Sequence, residues 1–382
     1  MQRTSIHTQT SFSPLDVSYM KRAFALARRG EGKTSPNPMV GAVLVKDGRI
    51  IGEGWHRRHG ALHAEAEAVK AALDQGISPE AADLYCTLEP CCFTAPEKHQ
   101  PPCTGLITKH GIKRVYIANL DPNPKVSGKG VDILTKAGIT VSTGLCAAMG
   151  EDLNRAFFTF HRLHRPYIHL KMAQTLDGRI AAPDGSSRWI TDEAARRMVH
   201  RLRACYDAVL VGSGTALADD PELTVRLVKG RNPHRIILDS HLALPLTAKV
   251  LSALEPEKNI IIHSDDADER KAGELRSFGV KLIPVKKDHG KIGISLHEVL
   301  KALAELRIQS VLVEGGARVY SSFLREGLWD RLWLFTAPIM IGGGVSAVAD
   351  LGLTSMGEAL RFNGTFRHVA QQTLFEADRV DA

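Results

Sequence analysis

No apolar run in this sequence of 382 residues approaches the roughly 20 residues that a membrane-spanning helix needs. Residues 1–14 are polar and lack the apolar h-region of a secretory signal. A cytoplasmic protein without membrane contact is therefore expected, with residues 1–15 as a loose N-terminal arm. Cysteine is scarce, and its placement excludes a disulfide framework. Of six cysteines, Cys86, Cys91, Cys92 and Cys103 share one short stretch, while Cys146 and Cys205 stand alone. Clustering of this kind in a long chain favours metal binding. Charge of one sign is nowhere concentrated. The net charge is +7, yet the densest basic groups are pairs such as Arg57-Arg58 and Arg196-Arg197. That argues against a nucleic-acid partner and suits a small anionic one such as a phosphate ester. Repeats and low-complexity tracts are absent, and the length exceeds one ordinary core, so two domains are expected.

What is present reads as alternating strands and helices, a layered α/β pattern. Residues 16–30 predict a first helix with Asp16 as N-cap, and residues 39–46 and 49–52 a hairpin turned at Asp47-Gly48. A helix begins near His63, residues 82–88 form a strand, and a cysteine-bearing loop leads to a helix at Cys103. Residues 114–118 and 139–143 read as further strands with a short helix between them. Residues 149–165 look like a connector with one helical stretch. Beyond it, residues 167–173, 208–211, 235–238, 260–263, 281–285, 311–313 and 331–336 are strand candidates. Residues 191–204 predict a helix capped by Thr191, and residues 295–307 a helix opened by the capping box Ser295…Glu298.

One run carries definite chemistry: His63-Ala64-Glu65, then Glu89-Pro90-Cys91-Cys92, then Pro101-Pro102-Cys103. One imidazole and two thiolates can hold zinc and leave its fourth position to water. Zinc lowers the pKa of that water, and Glu65, two residues from the ligand His63, can carry its proton to a ring nitrogen and a leaving amine. The pattern points to hydrolytic deamination of a heterocycle. A structural zinc would want a fourth protein ligand, which Cys92 or His99 could supply.

The second half points elsewhere. Residues 211–217 resemble a dinucleotide loop with Leu217 at the third glycine position, and alone could be a plain strand–helix turn. Glu314-Gly315-Gly316, followed by a helix from Ala317, is a better phosphate cradle, because glycines admit close backbone approach and a helix N-terminus favours an anion.

These motifs, with Ser35-Pro36-Asn37-Pro38-Met39-Val40-Gly41, Gly52-Glu53-Gly54-Trp55-His56 and Asp121-Pro122-Asn123-Pro124 in the first half, resemble the bifunctional deaminase–reductase family of riboflavin biosynthesis. Lys171-Met172-Ala173-Gln174-Thr175-Leu176-Asp177-Gly178-Arg179, Ser187-Arg188-Trp189-Ile190-Thr191, the run from Ala218 to Arg226, and Val313-Glu314-Gly315-Gly316 carry the likeness through the second half. The resemblance implies a cytidine-deaminase-like α/β layered domain over 16–148 and a dihydrofolate-reductase-like α/β domain over 166–382. It implies zinc-dependent deamination of 2,5-diamino-6-(5-phosphoribosylamino)pyrimidin-4(3H)-one, then NADPH-dependent reduction of the ribosyl group to ribityl. Asn37 and His56 are implied for the first substrate. Ala173, Trp189, Thr215, Asp219, Ser240 and the segment Gly316, Ala317, Arg318, Val319, Tyr320, Ser321 and Ser322 are implied for NADPH. Lys171, Ser187, Arg203, Leu223, Arg226 and Glu314 are implied for the second substrate, with Arg203 and Arg226 as clamps on its phosphate. A homo-oligomer is expected. The loop of eleven residues between Cys91 and Cys103 is three longer than usual in the family and lacks its Ser-His-x-Gly-Lys/Arg-Thr stretch. Lys98 is a candidate replacement for the basic residue. Two other readings are a zinc nucleoside or tRNA deaminase with an accessory nucleotide-binding domain, and a structural zinc module joined to a nucleotide sensor.

Overall fold

The structure, a computed structural model, describes residues 12–94, 100–252, 254–288 and 293–379. The chain divides between Leu163 and His164 into two compact units.

In the first unit, α1 (Pro14–Ala27) opens on Ser13 rather than Asp16. The Ser13 hydroxyl accepts the Asp16 N–H at 3.1 Å and the Asp16 carboxylate accepts the Ser13 N–H at 2.9 Å, so Asp16 is the far half of a capping box. Pro14 then fits the first helical turn, where its missing N–H costs nothing. Strands β1 (Gly41–Lys46) and β2 (Arg49–Trp55) form the expected hairpin, turned by Asp47 and Gly48 at positive φ. Then follow α2 (Ala64–Leu73), β3 (Asp83–Leu88), α3 (Cys103–Lys109), β4 (Arg114–Asn119), α4 (Lys129–Lys136) and β5 (Thr140–Thr143). The sheet order is β2-β1-β3-β4-β5, antiparallel across β1 and parallel from β3 to β5. Both faces are covered, so β1 is apolar up to its last residue, Lys46: Ala42 and Leu44 pack with α2 residues, and Val43 and Val45 with α1 residues. Helix α2 lies directly on β2. A Cβ on Gly52 or Gly54 would stand 2.2 Å from the carbonyl of Ala68 or Ala64, and this close seat fixes the start of α2.

The expected connector is helical twice, as α5 (Ala147–Leu153) and α6 (Arg155–Leu163), and is bound into the first unit. Phe157 and Phe158 bury against Leu88 and Val40, and the Asn154 amide bonds both the N–H and the carbonyl of Met39 at 2.8 and 2.9 Å.

The second unit runs β6 (Tyr167–Thr175), β7 (Arg179–Ala181), α7 (Glu193–Cys205), β8 (Ala208–Gly212), α8 (Ser213–Asp219), β9 (His234–Leu238), α9 (Lys249–Ser252), β10 (Asn259–Ser264), α10 (Glu269–Ser277) and β11 (Lys281–Val285). It continues with β12 (Lys287–Asp288), β13 (Gly293–Ile294), α11 (Leu296–Glu305), β14 (Ser310–Gly315), α12 (Ala317–Glu326), β15 (Arg331–Ala337), β16 (Val345–Ser346), β17 (Gly364–Val369) and β18 (Gln372–Asp378). Nine of these form one sheet in the order β11-β10-β9-β8-β14-β6-β15-β18-β17. It is parallel from β11 to β15 and closes with the antiparallel strands β18 and β17. The N-cap of α7 is Asp192, not Thr191: its carboxylate accepts the Ala195 N–H at 2.9 Å. Ser295 caps α11 as expected. The chain leaves β6, builds β8 to β11, and returns with β14 between β8 and β6. That reversal is a topological switch point, whose strand carboxyl ends form a crevice suited to ligands.

Candidate active sites

In the first unit, three elements converge. His63 is the N-cap of α2, Cys91 follows β3, and Cys103 is the first residue of α3. The Cys91 and Cys103 sulfurs stand 3.5 and 3.4 Å from His63 Nδ1, and the three donor atoms lie within 4.8 Å of one another. One imidazole and two sulfurs so placed fit a tetrahedral zinc with one open position. The Cys103 N–H points to Cys91 Sγ at 3.4 Å, so the start of α3 favours thiolate at Cys91. Without a cation, the hydrogen bond from Cys91 and burial push the Cys103 thiol well up; a dication between the sulfurs reverses that balance. Glu65, in the first turn of α2, is only 3 % exposed. Burial pushes its carboxyl up against the pull of His63.

Asn37 and His56 also meet. His56 Nδ1 lies 3.0 Å from the Leu62 carbonyl, which requires a proton on Nδ1, so Nε2 accepts from the Asn37 amide nitrogen at 3.1 Å. Burial lowers the His56 pKa, in keeping with a neutral ring. The Asn37 carbonyl oxygen is not used in that bond. Cys92 stands outside the three-donor group, its sulfur 3.8 Å from the Lys125 carbonyl. Lys98 and His99 fall outside the described residues.

Two supporting roles were not readable in the sequence, although Glu89 stands in the Glu89-Pro90-Cys91-Cys92 run. Glu89 is buried and accepts the N–H groups of Asp121, Gly128, Gly130 and Val131 at 2.9–3.2 Å, tying the β3 loop to the start of α4. Burial pushes its carboxyl up, and the four donors pull against it. Gln100 accepts the N–H of the ligand residue His63 at 3.0 Å and donates to the Ala61 carbonyl. A carboxylate or amide that bonds only backbone leaves no spacing pattern to find.

In the second unit the candidates gather at the carboxyl ends of β6, β14, β8 and β9, four adjacent strands. Leu170 pairs with Val313, so Lys171 and Glu314 follow side by side on β6 and β14. Burial lowers the Lys171 pKa, with Glu314 opposing and Arg203 reinforcing. The Arg203 guanidinium holds Glu314 bidentately, Nε to Oε1 at 2.5 Å and Nη2 to Oε2 at 3.0 Å. Arg203, expected as a phosphate clamp, thus has the Nε–Nη2 edge of its fork on Glu314. Arg226 is instead half exposed, with Nη1 on Glu222 at 3.0 Å and on the Thr224 hydroxyl at 2.8 Å. Its backbone N–H donates to His200 Nδ1.

The cradle is also formed. Gly316 caps α12, and a Cβ there would stand 2.7 Å from the Thr215 hydroxyl at the start of α8. Ala317 and Arg318 lie at the terminus, while Val319, Tyr320, Ser321 and Ser322 are buried. The Tyr320 hydroxyl donates to the Lys171 carbonyl, Ser321 to that of Ala317 and Ser322 to that of Arg318. The hydroxyls of Tyr320, Ser321 and Ser322 are thus bonded to backbone carbonyls of the unit, and the segment expected to line NADPH runs from the cap at Gly316 into a buried turn of α12. Around this centre, Ser187 donates to Asp219 at 3.0 Å, and Trp189 is 67 % exposed with the Arg196 guanidinium 4.2 Å over its ring. Ala173 lies toward the end of β6, Ser240 follows β9, and Leu223 is buried with φ of 56°. Residues 211–217 are a strand–helix junction, with β8 passing straight into α8.

A zinc-fitting His-Cys-Cys site beside a buried glutamate, on one α/β unit, and a glycine-opened cradle beside a Lys-Glu pair, on a second, define a two-domain enzyme of the deaminase and reductase classes. Comparisons with known proteins give the family. Residues 14–119 match the cytidine and deoxycytidylate deaminase zinc-binding region, and residues 166–373 match the RibD C-terminal domain. The chain is 46% identical over 348 residues to the riboflavin biosynthesis protein RibD of Aquifex aeolicus (strain VF5), covering 91% of this chain and 93% of that one. It is 37% identical over 369 residues to RibD of Escherichia coli (strain K12), covering 93% and 96%. Among solved structures, Acinetobacter baumannii RibD, form 1, superposes with a TM-score of 0.86 at 36% identity, covering 96% of this chain and 99% of that one. A diaminohydroxyphosphoribosylaminopyrimidine deaminase/5-amino-6-(5-phosphoribosylamino)uracil reductase from Thermotoga maritima gives 0.83 at 38% identity, covering 96% and 99%. The chain belongs to the RibD family, the bifunctional deaminase–reductases of riboflavin biosynthesis. The match spans both halves, which favours this reading over a nucleoside or tRNA deaminase and over a structural zinc module. Among the described residues, no helix is long and apolar enough to cross a membrane.

Proposed function

We propose that the first unit deaminates 2,5-diamino-6-(5-phosphoribosylamino)pyrimidin-4(3H)-one with water, releasing ammonia. The second then reduces the ribosyl group of the aminouracil product to ribityl with NADPH. The observation that carries this reading is the convergence of His63, Cys91 and Cys103 beside buried Glu65. Zinc held by those three residues supplies an acidified water. Glu65 is placed to carry one proton from that water to the ring nitrogen and then the remaining hydroxyl proton to the departing amine, which leaves as ammonia. A carboxyl pushed up by burial is suited to both halves of that transfer. Asn37, oriented through His56, offers its carbonyl oxygen to the substrate's hydrogen-bond donors.

In the second unit, NADPH supplies the hydride when bound. Gly316, Ala317 and Arg318 present the start of α12 to its phosphates, beside Thr215, with Ala173, Trp189, Asp219 and Ser240 around it. Reduction adds hydride to the anomeric carbon and opens the ring carbon–oxygen bond, whose oxygen takes a proton. Lys171, with its depressed pKa, is suited to give that proton, and Glu314 stands beside it. Ser187 and Leu223 line the substrate, and Arg226 holds its phosphate. The protein is proposed to be cytoplasmic and homo-oligomeric.

The test is to incubate purified protein with the diaminopyrimidinone phosphate, with and without NADPH, and weigh the products. Deamination alone without NADPH, and the ribityl product with it, are expected. Unchanged substrate in both tubes would overturn the reading.

A further inference from the structure

The deaminase substrate carries a phosphate, whereas the zinc-fitting group, Glu65, Asn37 and His56 are suited to its ring and not to that dianion. We propose that Lys125, on the turn between β4 and α4, receives the phosphate in the first site. The inference rests on the deaminase reading above and names where in that site the anionic end of the substrate lies.

The turn is built to hold one position. The Asp121 carboxylate accepts the Asn123 N–H at 2.8 Å, and the Asn123 side-chain carbonyl accepts the Lys125 N–H at 3.0 Å, so two Asx turns follow one another. The Asn123 backbone carbonyl accepts the N–H groups of Val126 and Ser127 at 2.8 and 2.9 Å, and Val126 is buried. Glu89, two residues before Cys91, anchors the turn at both ends through the N–H groups of Asp121 and Gly128. The turn is seated against the segment that follows Cys91. The Lys125 carbonyl lies 3.8 Å from Cys92 Sγ, and the Lys125 ammonium stands 6.0 Å from the centre of the Phe93 ring. Cys103 and Glu65 are buried, Cys91 and Cys92 are half-buried, and Lys125 is exposed. The line from the zinc donors through Cys92 to this lysine therefore leads out of the site.

Electrostatics single out this side chain. A helix N-terminus is a ready anion site, but at the start of α4 the N–H groups of Gly128, Gly130 and Val131 are already given to the Glu89 carboxylate. That backbone is closed to a second anion, so recognition of the phosphate falls to side chains. Two neighbouring cations are engaged. Lys129 Nζ donates to the Pro124 carbonyl at 2.8 Å. Arg57, next to His56, holds Glu67 at 3.3 Å and lies 4.1 Å over the Trp55 ring. Among the described residues, no carboxylate pairs with the Lys125 ammonium. Its contact with the Phe93 ring steadies the charge and leaves its N–H donors unused. An ammonium with three donors on a flexible stem meets a phosphate as a point charge, which needs no fixed fork.

Deamination is measured without NADPH on the phosphorylated diaminopyrimidinone and on the same compound lacking its phosphate, for wild type, Lys125→Met, Lys125→Arg and Lys98→Met. Ribose 5-phosphate serves as a competing probe of the phosphate position. Methionine keeps an unbranched apolar stem and removes the charge. Lys125→Met should raise KM for the phosphorylated substrate by about tenfold, the lower end for a charge-assisted contact because the position is exposed. Its kcat, its zinc content and its KM for the dephosphorylated compound should stay near wild type. The inhibition constant of ribose 5-phosphate should rise by the same factor, and Lys125→Arg should recover most of both. Added salt should raise the wild-type KM more steeply than that of Lys125→Met, which has one screened charge fewer. An unchanged KM and inhibition constant in Lys125→Met would overturn the proposal. So would an equal loss for both substrates, which would confine Lys125 to the turn's own structure. A loss in Lys98→Met without one in Lys125→Met would also overturn it and move the phosphate to Lys98. A wild type that deaminates neither compound would instead strike the deaminase reading, and the phosphate site with it, before any variant is compared.

Discussion

The Cys92 thiol is turned to the Lys125 carbonyl, 3.8 Å away, while the adjacent Cys91 stands 3.5 Å from the His63 imidazole. Two neighbours in one loop thus send their sulfurs to different partners. Wild type should carry about one zinc per chain, as a three-ligand catalytic site would. Cys92→Ser should retain it and Cys91→Ser should lose most of it. Metal analysis after gel filtration decides the matter, and the opposite pattern would make Cys92 the ligand.

Glu65→Gln should abolish deamination, keep zinc and leave reduction of the deaminated substrate intact. The amide is nearly isosteric with the acid but cannot shuttle a proton. Because Glu65 is buried beside the ligand group, its loss of charge should not open the site. Deaminase turnover near wild type in this variant would refute the assigned role.

The division between Leu163 and His164 can be tested by truncation. Arg165 grips Asp330 with two bonds of 2.7 Å, and Asp330 also accepts the Ile168 N–H, so Arg165 belongs energetically to the second unit. A fragment 164–382 should fold and oxidise NADPH with the deaminated substrate. A fragment 167–382 leaves Asp330 with one partner fewer in a largely shielded place. That should cost about 1–3 kcal/mol, or very roughly 2–10 °C in melting temperature at this size. Equal melting temperatures for the two fragments would remove Arg165 from the unit's stability.

Burial holds the His200 pKa down to about 4, with Arg203 and Arg226 pushing the same way. In the unfolded chain a histidine titrates near 6.5. Between these values the unfolded state binds a proton that the folded state refuses, so stability rises with pH across the window. His200 should therefore contribute nothing to pH dependence above about pH 7 and should weaken the second unit as pH falls toward 4, by up to about 3 kcal/mol. Urea midpoints at pH 7 and pH 4.5 check this. His200→Asn, which can still accept the Arg226 N–H, should lose less on acidification than wild type, and equal losses would exclude His200 as the source.

Much of this was legible because chemistry and periodicity leave marks in sequence. The zinc donors are few residue types at tight spacing, and Asp47-Gly48 announces its hairpin. The buried parallel strands show as apolar runs. The hairpin of β17 and β18 did not announce itself, because β17 lies at the sheet edge with five of its six residues exposed and so has no alternation to read. Helix caps slipped by one to three residues where two capping types stood close together, as Thr191 and Asp192 do. At the sites, residue identity was readable but partnership was not. Nothing in the sequence says that Arg203 turns the Nε–Nη2 edge of its fork to Glu314, or that the Tyr320 hydroxyl bonds the Lys171 carbonyl, since both follow from which element lies beside which.

Arg226 is the cation proposed for the substrate phosphate in the second unit, on the strength of its half-exposed guanidinium and of the Thr224 that it shares with Arg203, the partner of Glu314. A charge-assisted contact is worth about 1.5–3 kcal/mol, roughly ten- to a hundredfold in binding. Arg226→Ala should raise KM for the phosphorylated substrate by that factor and leave NADPH affinity nearly unchanged. The dephosphorylated substrate should lose little further from the same change. The backbone N–H that donates to His200 survives the substitution, so the local fold should persist. The surface ion pair to Glu222, about four residues away and exposed, contributes little to stability. Isothermal titration with both substrates and with NADPH separates the outcomes: weakened NADPH binding would assign Arg226 to the cofactor, and equal losses for both substrates would assign it to the fold.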